Sequence, residues 1–275
     1  RKESSAASDV YKRQGTPRLL FVHAHPDDES MWTGGLIARH LQAGGELDLV
    51  MCTWAESTPR ANELLDAITA LGVTRSPILL GYADDRVPDS APGGTRFCAA
   101  PFDEQVRELS AHIRTLRPDI IVTYDAFGIY GHPDHVHAHR LACAAADAAA
   151  CRSLYLDAGD PWQVKSLYFA TIPEWMIDEL APVLFAAVPR EHLPGTADDA
   201  IDIRLDVTEF LTQKSAAINC HRSEIDRSRT ISMFMSLPDD LRFRLLGSEN
   251  YQRRDLVPGG CCLLYTSDAA DDSLR

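Results

Sequence analysis

The chain has 275 residues, 45% hydrophobic and 24% charged, with a formal net charge of −13. That is the composition of an ordinary globular protein. The acidic balance argues against nucleic acid or an anionic membrane as partner, since both need a basic face, and no apolar run reaches the ~20 residues of a membrane span.

Seven cysteines are scattered through the chain without a CxxC pair. An odd, unpaired count favours a reducing compartment over a disulfide framework. No signal-peptide pattern is read, so the expected location is cytoplasmic. Residues 1–15 ("RKESSAASDVYKRQG") and 261–275 ("CCLLYTSDAADDSLR") connect to no periodic neighbour. Both resemble translated sequencing adapter, which leaves a single domain expected over residues 16–260.

Inside that domain, apolar runs of strand length alternate with amphipathic runs. Residues 18–24 read as a strand. Residues 30–43 read as a helix, with Ser30 as its N-cap and Gly44-Gly45 as its stop. A second strand is expected at 46–53 and a helix at 60–71, where Leu64, Ile68 and Leu71 recur at helical spacing. A short third strand at 77–80 leads into a long loop over 81–101. A helix follows at 102–116 and an unbroken buried strand at 119–124. The loop 125–134 opens an alanine-rich helix over 135–149. A fifth strand is expected at 165–170, a sixth at 201–206, and a late helix at 208–222.

Strand–helix alternation with continuous apolar strands implies an α/β fold. The expected form is Rossmann-like and doubly wound, a mostly parallel sheet with helices on both faces. In the common strand order 3-2-1-4-5, ligands bind outside the carboxyl ends of strands 1 and 4. Strand 1 is followed by "HAHPDDES" and strand 4 by "YDAFGIYGHPDH". Two titratable clusters about a hundred residues apart in the chain should therefore meet.

A dinucleotide site wants GxGxxG at the first strand–helix turn. Here that turn is acidic and would repel a pyrophosphate. A metal fits better, because catalytic zinc takes three ligands of His, Asp or Glu type and keeps one position for water. His25 and Asp28 sit three apart on a turn stiffened by Pro26. His132 and His135 repeat the pattern. Asp27 and Glu29 are available as the general base. His139, four residues after His135, reads as a supporting helix residue and His23 as a packed strand residue. His40, His112, His192 and His221 belong to no constellation.

Taken together, "AHPDDE" (24–29) and "TYDAFGIYGHPDHVHAH" (123–139) resemble the PIG-L/LmbE family of zinc-dependent N-deacetylases. Within that family the likeness is closest to the mycothiol branch, which holds a biosynthetic deacetylase and an S-conjugate amidase. It spans about residues 19–149 and returns weakly in "KSAAINCHRSEI" (214–225). The resemblance implies His25, Asp28 and His135 as ligands of Zn2+, a set that would also suit Fe2+. It implies Asp27 as general base. His132 would stabilise the oxyanion or protonate the leaving amine, with Asp134 orienting it. Tyr130 would polarise the carbonyl, and Arg60 and Asp89 would hold sugar hydroxyls.

Two departures stand out. No lysine occurs between Ser30 and Ala43, where the amidase would carry one, and Ser223-Glu224 stand where the family often has Gln. The expected activity is hydrolysis of an N-acetyl amide on a glucosamine-containing small molecule. The alternatives are an amidase acting on mycothiol-type S-conjugates and a non-catalytic carbohydrate-binding module. The expected partner is the N-acetylated amino sugar, and a homo-oligomer is compatible with the sequence.

Overall fold

The computed structural model describes residues 16–263. The two stretches read as foreign, 1–15 and most of 261–275, lie outside the described residues. Its sheet runs β3-β2-β1-β4-β5-β7-β6. The strands are β1 (Leu19–His23), β2 (Leu47–Thr53), β3 (Ile78–Tyr82), β4 (Ile120–Tyr124), β5 (Ser166–Thr171), β6 (Ile203–Asp206) and β7 (Ser248–Asp255). The first five are mutually parallel in the expected 3-2-1-4-5 order. β1 and β4 are buried at every position, as central parallel strands covered on both faces must be.

Right-handed crossovers decide which face each helix covers. The chain winds β1 to β3 in one direction, placing α1 (Asp28–Gln42) and α2 (Pro59–Ala70) on one face. It then reverses through β4 and β5, placing α3 (Phe102–Leu116) and α4 (Pro133–Ala150) on the other. α3 and α4 pack on each other, while α6 (Leu211–Cys220) packs across α1 and α2. α5 is Glu174–Leu184, and three further helices follow α6: α7 (Arg222–Arg227), α8 (Arg229–Met235) and α9 (Asp239–Leu246).

Three details differ from the sequence reading. α1 begins at Asp28, so Ser30 lies in its first turn and Asp27 holds the N-cap position. The late helix breaks at His221, whose φ of −79° and ψ of 55° end α6 and open α7. β7 has no apolar run to announce it. It pairs antiparallel with β5 over six positions, Ser166↔Asp255 through Thr171↔Asn250.

The folded unit also extends past residue 260. The Cys261 N–H donates to Ser166 Oγ at 2.7 Å, Tyr168 OH donates to the Cys261 carbonyl at 3.0 Å, and Leu263 is buried.

α1 lies unusually close to its neighbours. A Cβ at Gly35 would stand 2.4–2.6 Å from the Val207 side chain, so only glycine permits this approach. The same stretch of α1 receives the buried Glu249 of β7, which accepts the N–H groups of Gly35 at 2.7 Å and Leu36 at 2.9 Å. Lys214 Nζ, 2.6 Å from Glu249 Oε1, balances that charge.

Candidate metal centre

The chain leaves β1 through a turn held by its neighbours. The Ala24 N–H donates to Tyr124 OH at 2.6 Å, and the Ala24 carbonyl accepts the Thr53 N–H at 2.9 Å and hydroxyl at 2.7 Å. The His25 N–H donates to Asp28 Oδ2 at 2.9 Å, closing the turn around Pro26. Asp27 has φ 127° and ψ −27°, and its side chain makes no cap hydrogen bond.

The segment after β4 is shaped by Asp125. Its Oδ1 accepts the N–H groups of Phe127 at 3.0 Å and Ile129 at 2.9 Å, and its Oδ2 takes the Thr171 hydroxyl at 2.6 Å. Gly128, at φ 67°, lets this loop lie on the start of α4; a Cβ there would be 2.7 Å from His135 Cβ. His132 then caps α4, its Nδ1 accepting the Asp134 N–H at 3.2 Å, with Pro133 at the first helical position. Asp134 and His135 follow in the first turn.

These two segments meet. His25 Nδ1 and His135 Nε2 are 3.1 Å apart. Asp28 Oδ2 is 3.4 Å from His25 Nδ1, and Asp28 Oδ1 is 3.3 Å from His135 Nε2. A tetrahedral ion with bonds of ~2.0–2.1 Å has edges of about 3.3 Å, so each of these separations is close to one edge of such a site, with the two Asp28 oxygens each facing one histidine. The nitrogens of His25, His132 and His135 also lie within 4.8 Å of one another, as do the ligand atoms of His25, Asp84, His132 and Asp134. The residues present fit a metal ion.

The far nitrogen of His25 explains the second grouping. Nε2 lies 3.1 Å from Asp134 Oδ2 and 3.5 Å from Asp84 Oδ2. A ligating histidine commonly donates its other N–H to a carboxylate, which fixes the ring and its tautomer. Asp134 is held in turn by the Cys98 thiol at 3.1 Å and the Asp85 N–H at 3.0 Å. Burial opposes its ionisation, but His25 first, and then the Asp85 N–H and the Cys98 thiol, hold it down to about 2. Burial likewise opposes charge on His25, yet Asp134 and Asp28 push it up to about 10. The pocket favours positive charge at its centre.

Asp134 therefore orients His25 with its carboxylate, and His132 only with its backbone N–H. His132 is held down to about 4, by burial first and then by the His25 and His135 rings. With Nδ1 accepting, the assigned tautomer of the neutral ring carries its proton on Nε2.

Asp27 stands beside the triangle, pushed up to about 7 by burial, against the pull of Arg60 and with the push of Asp28. Arg60 was expected at sugar hydroxyls. It is 3% exposed, and its guanidinium is shared out within the protein. Nη2 lies 3.1 Å from Asp27 Oδ1 and also bonds the Pro26 carbonyl, while Nη1 lies 2.6 Å from Glu224 Oε2. The Trp54 ring stacks on it at 4.4 Å.

Tyr130 is at the rim, 45% exposed, its ring 4.9 Å from His135 and 6.3 Å from Trp32. Partial desolvation by the surrounding residues and the nearby Asp28 raise its phenol, which stays protonated. Asp89 is exposed in a short 3-10 turn, and no contact joins it to these residues. The acid that reaches the centre from the 81–101 loop is Asp84, from "YADD".

Four more residues escaped the sequence reading. Tyr124 OH donates to Asp28 Oδ2 at 2.6 Å, and Trp32 Nε1 donates to Asp28 Oδ1 at 3.0 Å. Glu224 anchors Arg60. His221, assigned to no constellation, is 2% exposed with Nε2 at 2.7 Å from Glu29 Oε1. With Asp27, Met31 and Glu224 it lines a small cavity beside the centre.

Residues 20–146 match the family model PIG-L, described as GlcNAc-PI de-N-acetylase. The chain is 36% identical to the 1D-myo-inositol 2-acetamido-2-deoxy-alpha-D-glucopyranoside deacetylase of Mycolicibacterium vanbaalenii, over 87% of this chain and 94% of the relative. It is 34% identical to the deacetylase of the same name from Streptomyces avermitilis, over 86% and 91%. Among solved structures, the N,N'-diacetylchitobiose deacetylase of Pyrococcus horikoshii superposes with a TM-score of 0.59 at 18% identity, covering 93% of this chain and 94% of that one. At that identity the superposition speaks for the fold alone. The sequence relatives carry the assignment: this chain belongs to the PIG-L family.

Proposed function

We propose that the chain is a metal-dependent hydrolase that removes the acetyl group from an N-acetylglucosamine-type amide in a small molecule. The observation that carries this reading is the triangle of His25, Asp28 and His135, with the uncapped carboxylate of Asp27 beside it. The names borne by the relatives point to a glucosaminyl inositol as substrate.

Zn2+ is the proposed ion, held by His25 Nδ1, Asp28 and His135 Nε2; Fe2+ suits the same donors. When bound, such an ion lowers the pKa of a water and polarises a carbonyl.

The chain's own groups do the rest. Asp27, poised at about 7, takes a proton from the attacking water near neutrality. Arg60 holds one oxygen of that carboxylate, leaving the other turned to the reacting atoms. Two neutral donors face the developing oxyanion, the Tyr130 hydroxyl and His132 Nε2–H. The protonated Asp27 then delivers the proton it took from water to the leaving amine, while His132 stays neutral as an oxyanion donor. With its guanidinium turned to Asp27, Arg60 acts on the base, and sugar contacts fall to the rim around Tyr130 and the 81–101 loop that carries Asp89.

Asp27→Asn tests the reading. The isosteric amide should leave metal content unchanged and cut acetate release by ~10²–10⁴-fold. Full activity in that variant would sink the assignment of Asp27. An acetate-release screen over N-acetylated sugars with different aglycones, N-acetylglucosaminyl-inositol among them, would identify the substrate.

A further inference from the structure

Asp27 has the largest positive φ of any non-glycine among the described residues, 127°. An L side chain rarely adopts that backbone, and such strain persists only where the surroundings over-determine it. An aspartate at an N-cap ordinarily has extended φ/ψ and spends its carboxylate on the N–H groups of the first turn. Here the rotated backbone withdraws the carboxylate from the helix end. The same rotation turns the Asp27 N–H inward, where Glu29 Oε2 accepts it at 3.0 Å.

Glu29 is itself fixed. It is fully buried, and its Oε1 accepts the Ser30 hydroxyl at 2.5 Å and lies 2.7 Å from His221 Nε2. His221 arrives from the α6–α7 break, 192 residues away in the chain. Its N–H is tied to the Ile218 carbonyl at 3.2 Å, and its ring is 2% exposed. An acid in a first turn can simply complement the helix dipole. That role would not require a buried histidine on one oxygen and the cap residue's own amide on the other.

We infer that Glu29 and His221 are positioning residues for Asp27. His221 steadies the Glu29 carboxylate, and Glu29 holds the Asp27 backbone in the conformation that frees its side chain for catalysis. The contact places the α6–α7 joint in mechanical connection with the catalytic turn. The inference rests on the proposed role of Asp27 as base, and the experiment separates the two.

The metal-loaded protein and five variants would be assayed for kcat, KM and bound metal on N-acetylglucosaminyl-inositol: Asp27→Asn, Glu29→Ala, Glu29→Gln, His221→Ala and the Glu29→Ala/His221→Ala double. Glu29→Ala should lower kcat by ~10–100-fold, the size of supporting-residue and misplacement effects. KM should stay within about twofold and metal content should not change. His221→Ala should lower kcat less. The double variant should match Glu29→Ala alone, because His221 acts through Glu29. Glu29→Gln should recover most of the loss, since its amide oxygen can still accept the Asp27 N–H while its NH2 donates to His221 Nε2 once that ring carries its proton on Nδ1.

Wild-type kcat in both alanine variants would overturn the inference. So would additive losses in the double variant, loss of metal in step with activity, or Glu29→Gln behaving like Glu29→Ala. If alanine prevents folding, Glu29→Gln and a His221→Gln variant read the same kcat against KM. Full activity in Asp27→Asn would instead overturn the role of Asp27, whatever the Glu29 variants do.

Discussion

The phenol ring of Tyr124 lies parallel to the imidazole of His135, their centroids 4.1 Å and their planes 7° apart. Its hydroxyl reaches the other motif, donating to Asp28 Oδ2 and accepting the Ala24 N–H, each at 2.6 Å. One side chain at the end of β4 thus sets the spacing between two proposed ligands. Removing the hydroxyl in Tyr124→Phe should keep the stacking, release Asp28 and leave the Ala24 amide buried without a partner. The unsatisfied amide should cost ~1–3 kcal/mol, read as a drop of roughly 2–4 °C in Tm per kcal/mol. Metal affinity should fall by ~10–100-fold, read by chelator competition. An unchanged affinity would mean that Asp28 keeps its orientation without the phenol.

Arg60 offers a test between two places for the same charge. The family resemblance assigns it to sugar hydroxyls, whereas its guanidinium spans Asp27, the Pro26 carbonyl and Glu224. Lysine keeps the charge but cannot reproduce the planar fork. Arg60→Lys should therefore lower kcat by ~10²-fold through misplacement of Asp27, with KM within about threefold of wild type. A raised KM at unchanged kcat would return Arg60 to the sugar.

The central sheet and both halves of the site were legible because their signals are local. β1 and β4 are apolar runs, and each is followed by an H-P-D turn. The common 3-2-1-4-5 strand order then brings the loops carrying His25, Asp28 and His135 together. Most of the misses depend on distant partners. β7 is "SENYQRRD", polar because its pairing is carried by backbone hydrogen bonds to β5. His221 has no neighbour in sequence to mark it, since its partner Glu29 lies 192 residues away. Ser30 satisfies the N-cap rule, yet the helix starts at Asp28, with the Asp27 carbonyl accepting the Ser30 and Met31 N–H groups. Glu224 looked like a departure from the family, and only the fold shows it bound to Arg60.

Stability should fall on the acid side of neutrality, in part through His40. Its ring is fully buried, with Nε2 3.0 Å from the Glu46 carbonyl, and burial lowers its pKa below 6.5. Below pH ~6.5 the unfolded chain binds a proton that the folded one resists. The stability this group contributes is therefore complete above 6.5 and lost as pH falls toward the folded value, at up to about 1.4 kcal/mol per pH unit. Thermal melts between pH 7.5 and 5.5 should show a shallower acid-side decline in His40→Gln than in wild type. Parallel curves would place the acid sensitivity elsewhere.

Gly35 makes the position of α1 testable at a distance from the candidate metal centre. A Cβ there would meet Cβ, Cγ1 and Cγ2 of Val207 at 2.4–2.6 Å. Gly35→Ala should destabilise the fold by ~1–3 kcal/mol through overpacking, less the ~1 kcal/mol that alanine gains over glycine in a helix. Val207→Ala alone opens a void and should also destabilise. Combined, the loss of Cγ1 and Cγ2 relieves two of the three close contacts while the Cβ–Cβ contact at 2.4 Å remains, so the double variant should recover part of the overpacking loss, with a coupling of ~0.5–3 kcal/mol in urea denaturation. Activity should follow the same order, because the turn carrying Asp27 and Asp28 is the first turn of α1. A shift of that helix away from Val207 displaces the proposed base and one proposed ligand together. Additive stability losses would show that Val207 does not set the seat of α1.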